Sequence, residues 1–195
     1  VARPLKRRAV PGGTQRALLL AHPYTPGEWV WSISADVQLE AGATLVCHYS
    51  LHGEVSRLRV PVARAGKRID GLWRHTCFEV FAAADPAAGY YELNFSPSLE
   101  WAAYHFSEYR EGMTPANLAR APGLQVRKSV DRLELTATVH LEGLAELARV
   151  PLLRLGLTAV VEDDSGSLSY WALRHAVGNP DFHDPDSFAL ELSSA

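Results

Sequence analysis

"TCFEVFAAADPAAGYYELNFSPSLEWAAYHF", residues 76–106, decides the fold. It holds three runs, at 76–84, 90–96 and 100–106, parted by "DPAAG" and by a Ser-Pro turn. Each is short, aromatic-rich and bounded by turn residues, which is the pattern of strands rather than helices. In a strand, alternate side chains share a face. Thr76, Phe78 and Val80 therefore point one way, and His75, Cys77, Glu79 and Phe81 the other. Along 90–96, Tyr91, Leu93 and Phe95 form an apolar set, and Glu92, Asn94 and Ser96 a polar one. A hairpin closed symmetrically through "AAADPAAG" sets Glu79 opposite Glu92, Cys77 opposite Asn94, and Phe78 beside Leu93.

The same period of two extends outward. Runs at 29–39, 44–51, 57–62, 123–130, 132–141, 153–162, 167–175 and 187–192 alternate or stay apolar, with turn residues between them. Only "LEGLAELA" at 141–148 and "TPANLARA" at 114–121 read as helix, two turns each at most. About ten closely spaced strands with one or two short helices predict an all-β, antiparallel β-sandwich, jelly-roll-like. The 195 residues suffice for one domain, with residues 1–15 expected to be a loosely packed N-terminal segment.

Composition excludes some functions. A formal net charge of −3 leaves no basic stripe for nucleic acid, and the one basic cluster, "RPLKRR" at 3–8, is short and terminal. No 18-residue apolar window predicts a membrane span. "RALLLAHP" at 16–23 is too short for a signal peptide, although the missing initial Met leaves a removed leader open. Cys47 and Cys77 both sit inside apolar runs, where reduced buried thiols are common, so no disulfide is expected and a cytoplasmic location is favoured. Nothing sets the oligomeric state.

The polar face of 75–96 raises the question of function. Two carboxylates facing each other on a sheet repel unless something lies between: an arginine, a cation, or a ligand rich in hydroxyl donors. Arg74 and Arg174 are the available arginines. Carboxylates and an amide that accept from hydroxyls, with indole faces for the apolar side of a ring, suit a sugar. Trp73, Arg74, His75, Glu79, Glu92, Asn94, Trp171 and Arg174 are the candidate ligand-binding residues. The alternative is that Trp73, Trp101 and Trp171 are core and the carboxylates face solvent.

"LWRHTCFEVF", "YYELNFSPSLEWAAYHF", "VVEDDSGSLSYWALRH" and "PDFHDPDSFAL" together resemble the DOMON-like domains related to family 9 carbohydrate-binding modules, and within them a bacterial branch. The similarity covers most of residues 18–192 and is most specific in 70–113 and 160–190. It implies a β-sandwich whose concave face binds sugar in some members and haem in the cytochrome members. In the sugar binders two tryptophans sandwich a terminal sugar, helped by an acidic residue on the strand after the first. By that resemblance Trp73 is the first tryptophan, Glu79 the acidic residue and Trp171 the second tryptophan. Arg74, Asn94 and Arg174 come from strand parity instead. The function expected is non-catalytic binding of a small saccharide or sugar-like ligand, with no resident cofactor.

Asp163 and Asp164 in "EDDSG", with Asp181, Asp184 and Asp186 in "NPDFHDPD", are suitable material for calcium but equally for turns. Haem wants His with His or Met, and neither the single Met113 nor the scattered histidines show a spacing for it. Zinc on His75, His175 and His183 lacks a signature too. A glycoside-active enzyme using Glu79 and Glu92 stays open, although nothing in sequence separates an acid from a nucleophile.

Overall fold

The computed structural model describes residues 13–84, 89–148 and 150–193. The basic cluster at 3–8 and most of the hairpin turn at 85–89 lie outside them. Twelve strands are present among the described residues: β1 (Gln15–Ala21), β2 (Val30–Glu40), β3 (Thr44–Gly53), β4 (Cys77–Ala84), β5 (Tyr90–Phe95), β6 (Trp101–Phe106), β7 (Thr114–Pro115), β8 (Gly123–Lys128), β9 (Arg132–His140), β10 (Leu152–Glu162), β11 (Leu168–Ala172) and β12 (Leu190–Ser193). One short helix, α1 (Ala145–Ala148), follows a 3-10 turn at Leu141–Gly143. None of the described helices is long and apolar enough to cross a membrane.

The strands form two antiparallel layers. One runs β1-β2-β3-β9-β8, the other β7-β6-β5-β4-β10-β11, with β12 beside the first half of β10. β1 belongs to both, pairing β2 through Gln15–Leu19 and β11 through Leu20–Ala21. Period-two patterning explains why they stack. Ile33, Ala35 and Val37 of β2, Leu45, Cys47 and Tyr49 of β3, and Leu133 and Leu135 of β9 are wholly buried on one side. Phe78 and Val80 of β4, Leu93 and Phe95 of β5, and Leu155 and Leu157 of β10 meet them from the other. Tyr49 spans the join: its ring lies 5.0 Å from Phe78 and its hydroxyl donates to the Glu79 carbonyl at 2.7 Å. The β-sandwich expected from the sequence is the fold found.

Four local expectations are corrected. The β4–β5 hairpin pairs Glu79 with Asn94 and Phe81 with Glu92, two residues away from the symmetric register. A shift of two leaves every side chain on its expected face, so hydrophobic patterning cannot detect it. Residues 57–62 are not a strand. Leu58 makes one bridge to Asp163, and Pro61 has no N–H to continue a ladder. Residues 114–121 are not helical: Thr114 and Pro115 pair with β6, and Ala116 N–H donates to the Ala103 carbonyl. Two turns of helix are marginal alone, and the free edge of β6 offers better partners. Residues 16–21, read above only as a rejected signal, lie in the strand that joins the two layers, and Gln15 starts it rather than ending a loose tail.

Cys47 and Cys77 are free and buried. Cys47 faces the core between the layers, whereas Cys77 belongs to a second apolar cluster on the far face of β4. Burial pushes the Cys47 thiol up to about 12 and the Cys77 thiol upward as well. Both should stay reduced and inert in the folded protein, becoming alkylated only on denaturation. Mass spectrometry after non-reducing alkylation in denaturant checks this; two protected sites would contradict it.

Candidate functional site

The second layer has two covered faces. Its inner face packs on the other sheet; its outer face carries Cys77, Glu79 and Phe81 of β4, Tyr90, Glu92 and Asn94 of β5, Thr158 and Val160 of β10, and Tyr170 of β11. A sheet face holding Phe81, Val160 and Phe106 cannot be left to water. Two long connections cover it. Between them remains a cavity of about 310 Å³, with Glu79, Phe81, Glu92 and Val160 among its lining.

The connection between β3 and β4 supplies the first wall. It runs beside β6, with Ile69 N–H donating to the Trp101 carbonyl and Trp101 N–H to the Lys67 carbonyl. Gly71 then adopts φ +82°, a left-handed turn that suits glycine, and starts a 3-10 turn at Leu72–Arg74. That turn lays Trp73 over β6, edge-on to Tyr104 at 5.8 Å. Tyr104 is in turn fixed by donating to Asp70 at 2.7 Å.

The connection between β11 and β12 supplies the second wall through Pro180, Phe182 and His183. Its shape comes from its own aspartates. Asp181 accepts from His183 N–H at 3.0 Å, and Asp184 caps a short 3-10 turn by accepting from Asp186 N–H at 2.8 Å. The Ser187 hydroxyl donates back to the Phe182 carbonyl. At the rim, Arg110 and Met113 arrive from the β6–β7 connection, and Arg110 is tied to Asp181 at 2.7 Å.

Polar groups on the floor are deeply buried. Glu79 is 2% exposed, Glu92 5% and Asn94 0%. Thr158 donates to Glu79 Oε2 at 3.0 Å, and the Asn94 amide donates to Glu92 Oε1 at 2.7 Å. No described residue donates to Glu79 Oε1. Glu92 Oε2 has only His183 Nε2 near it, at 3.8 Å, too far for a hydrogen bond. Desolvation raises both carboxyls, and the charge of Glu92 raises Glu79 further. His183 is held down to about 4 by burial and by Arg110, so it is neutral at physiological pH. The Tyr90 hydroxyl accepts from the backbone N–H of Arg110 at 3.1 Å and is hydrogen-bonded to His183 Nδ1 at 2.8 Å.

Comparison with known proteins places this architecture. No family model matches the chain, and no curated protein matches it in sequence. Solved structures do match in shape. A candidate carbohydrate-binding protein from Bacteroides uniformis superposes with TM-score 0.70 at 13% identity, over 93% of this chain and 87% of that one. A family 9 carbohydrate-binding module from Caldicellulosiruptor kristjanssonii, in complex with cellotriose, superposes with TM-score 0.57 at 12% identity, over 96% and 89% of the two chains. The fold is that of family 9 carbohydrate-binding modules. The glucose complex of a family 9 module from the same organism gives TM-score 0.54 at 12% identity, over 93% and 84%.

Within this fold, the residues singled out from sequence divide sharply. Trp73, Glu79 and Glu92 line one cavity, and Asn94 braces Glu92 behind it. Trp171 does not join them. It pairs with Ala159, which pairs with Phe78, so it faces the inner core at 6% exposure and donates to Ser169 at 3.0 Å. Tyr170, one residue earlier, takes the cavity side instead. Arg74 is exposed outside the cavity. His75 is exposed and meets Glu162 at 2.7 Å, with Arg59 on the other oxygen of that buried carboxylate. Arg174 lies beyond the end of β11, which is shorter than expected, and pairs loosely with Asp186 at 3.7 Å.

The aspartates weighed for calcium do not converge. Asp163 accepts from Ser165 and Ser167 within its turn, Asp164 pairs with Arg57 at 3.1 Å, and Asp181 serves Arg110 and Tyr109. No group of three or more His, Cys, Asp or Glu could share a metal among the described residues. Met113 and His183 do line the same cavity, which makes haem worth testing for fit. It does not fit. His183 Nδ1 is taken by Tyr90, Met113 is 55% exposed at the mouth, and the floor carries two buried carboxyls rather than the apolar surface a haem would need.

Sequence reasoning missed Arg110, Tyr170 and Phe182, and considered His183 only as a zinc ligand. Phe81 and Glu79 share a parity that was legible. "NPDFHDPD" drew attention for its aspartates, which shape the wall, while the two residues between them form it.

Proposed function

We propose that the protein is a non-catalytic binding domain for a small saccharide or sugar-like molecule, DOMON-like in kind. The observation that carries this reading is the cavity itself. About 310 Å³ lies at the small end of ligand-pocket sizes and suits one or two sugar rings. Trp73 offers an indole to the apolar side of a ring. Glu79 Oε1 and Glu92 Oε2 are acceptors without donors, which ligand hydroxyls would supply. Sugar complexes are known for family 9 modules with this fold, which supports the same class of ligand here.

The glycosidase reading has less behind it. A retaining or inverting pair needs one carboxyl held protonated and the other ionised by a different environment. Here burial pushes both in the same direction, and neither carboxyl has a cation in direct contact. Binding is tested by calorimetry with a panel of neutral mono- and oligosaccharides. A saccharide should bind weakly to the wild type, Trp73→Ala should lose that binding while remaining folded, and aryl glycosides should not be hydrolysed. Unchanged affinity in Trp73→Ala would remove the cleft from consideration, and turnover of an aryl glycoside would restore the enzyme.

A further inference from the structure

The two carboxyls on the floor pose a charge problem that neutral sugar hydroxyls do not solve. Glu79 and Glu92 are diagonal neighbours on one face of the β4–β5 hairpin, separated in register by Asn94 and Phe81. Each keeps one oxygen without a hydrogen-bond donor among the described residues. Groups facing the pair do not supply a cation. From β4 comes Cys77, protonated; from β5, Tyr90, hydrogen-bonded to His183; from β10, the Thr158 hydroxyl. His183 presents Nε2 at 3.8 Å, and Arg110, whose charge acts on Glu92 without an ion pair, is committed to Asp181 at 2.7 Å near the rim.

Around this acidic floor stand aromatic rings. Trp73, Phe81, Phe106, Tyr170 and Phe182 all line the cavity. Aromatic faces attract cations, most strongly where water is excluded, and buried carboxylates need a counter-charge.

We infer that the cleft takes a ligand bearing an ammonium group, an amino sugar in preference to a neutral one, with the ammonium seated between Glu79 and Glu92. This deepens the saccharide reading and rests on it. The ammonium takes the place of the proton held by the carboxyl pair, and that proton leaves to the buffer. Its N–H groups meet the two unmatched oxygens, and its charge offsets theirs. An N-acetylated sugar brings the same ring without the charge.

Isothermal titration at about pH 6.5, where a primary amine of ordinary pKa is charged, compares D-glucosamine, D-glucose and N-acetyl-D-glucosamine on the wild type. Glucosamine should bind at least about tenfold tighter than the other two, since one desolvated cation–π contact alone reaches that ratio. The observed heat should also vary with buffer ionisation enthalpy, reporting proton release. In the Glu79→Gln/Glu92→Gln double variant the preference should vanish. Glucose binding as well as or better than glucosamine would overturn the inference while leaving the saccharide reading intact. Binding of methylammonium with no binding of any sugar would uphold the ammonium site and remove the sugar. Absence of binding by all four probes would overturn both. The wild-type comparison stands alone if the double variant does not fold.

Discussion

Trp171→Ala should destabilise the protein by roughly 3–5 kcal/mol, the cost of removing a large aromatic from a packed core. Trp171 is 6% exposed within the core between the sheets, opposite Ala159, and its indole N–H is already satisfied by Ser169. Truncation leaves a cavity that neighbouring strands cannot close, because each is held by ladders on both sides. For a chain of this length about 1 kcal/mol lowers the melting temperature by ~2–4 °C, so a fall on the order of 10 °C is expected. Trp73→Ala should fall by much less. Trp73 is half-buried on a 3-10 turn, packs edge-on to Tyr104, and borders the cavity. Urea or thermal unfolding of both variants checks the contrast. Equal losses would mean that Trp73 is core as well.

Glu79→Gln should stabilise the protein at neutral pH, because it removes a buried carboxyl that the fold must keep protonated and keeps the acceptor for Thr158. The sign follows from proton linkage. Burial raises Glu79 and Glu92, so the folded state retains protons that the unfolded chain has already released. Stability attributable to the pair therefore falls as pH rises above the ordinary carboxyl value of about 4.3. His183 acts oppositely. Held down to about 4, it contributes stability that is present above its ordinary value and lost as pH falls through that window. Above about pH 6.5 the histidine contribution is flat, and the carboxyl pair governs the slope. At about pH 7.5 Glu79→Gln should melt at least ~2 °C above wild type, the shift produced by roughly 1 kcal/mol in a chain of this length. Near pH 4.5, where the unfolded glutamates also hold protons, the advantage should disappear. A wild type more stable than the variant at neutral pH, or a gap that ignores pH, would contradict this.

The alternation of apolar side chains along 76–106, and along the runs outside it, determined that this chain is an antiparallel β-sandwich and which residues of β4 and β5 share a face. That information is local, since neighbours along a strand point to opposite sides. It was enough to bring Glu79, Glu92 and Asn94 to one surface; Trp73, on a 3-10 turn before the strand, was singled out by its residue type and by the family resemblance instead. Register was beyond it: a hairpin displaced by two residues has the same pattern, so Glu79 faces Asn94 and not Glu92. So was the choice between Trp171 and Tyr170, because parity within β11 says only that they face apart. Which of them sees the cavity depends on the pairing of β11 with β10, and of β10 with β4. The walls belong wholly to tertiary structure. Arg110, Phe182 and His183 lie 18 to 91 residues along the chain from Glu92 and sit in irregular connections, where no period relates one side chain to the next. Only the packing of those connections onto the outer face of the second sheet brings their aromatic and charged groups over the two buried carboxyls.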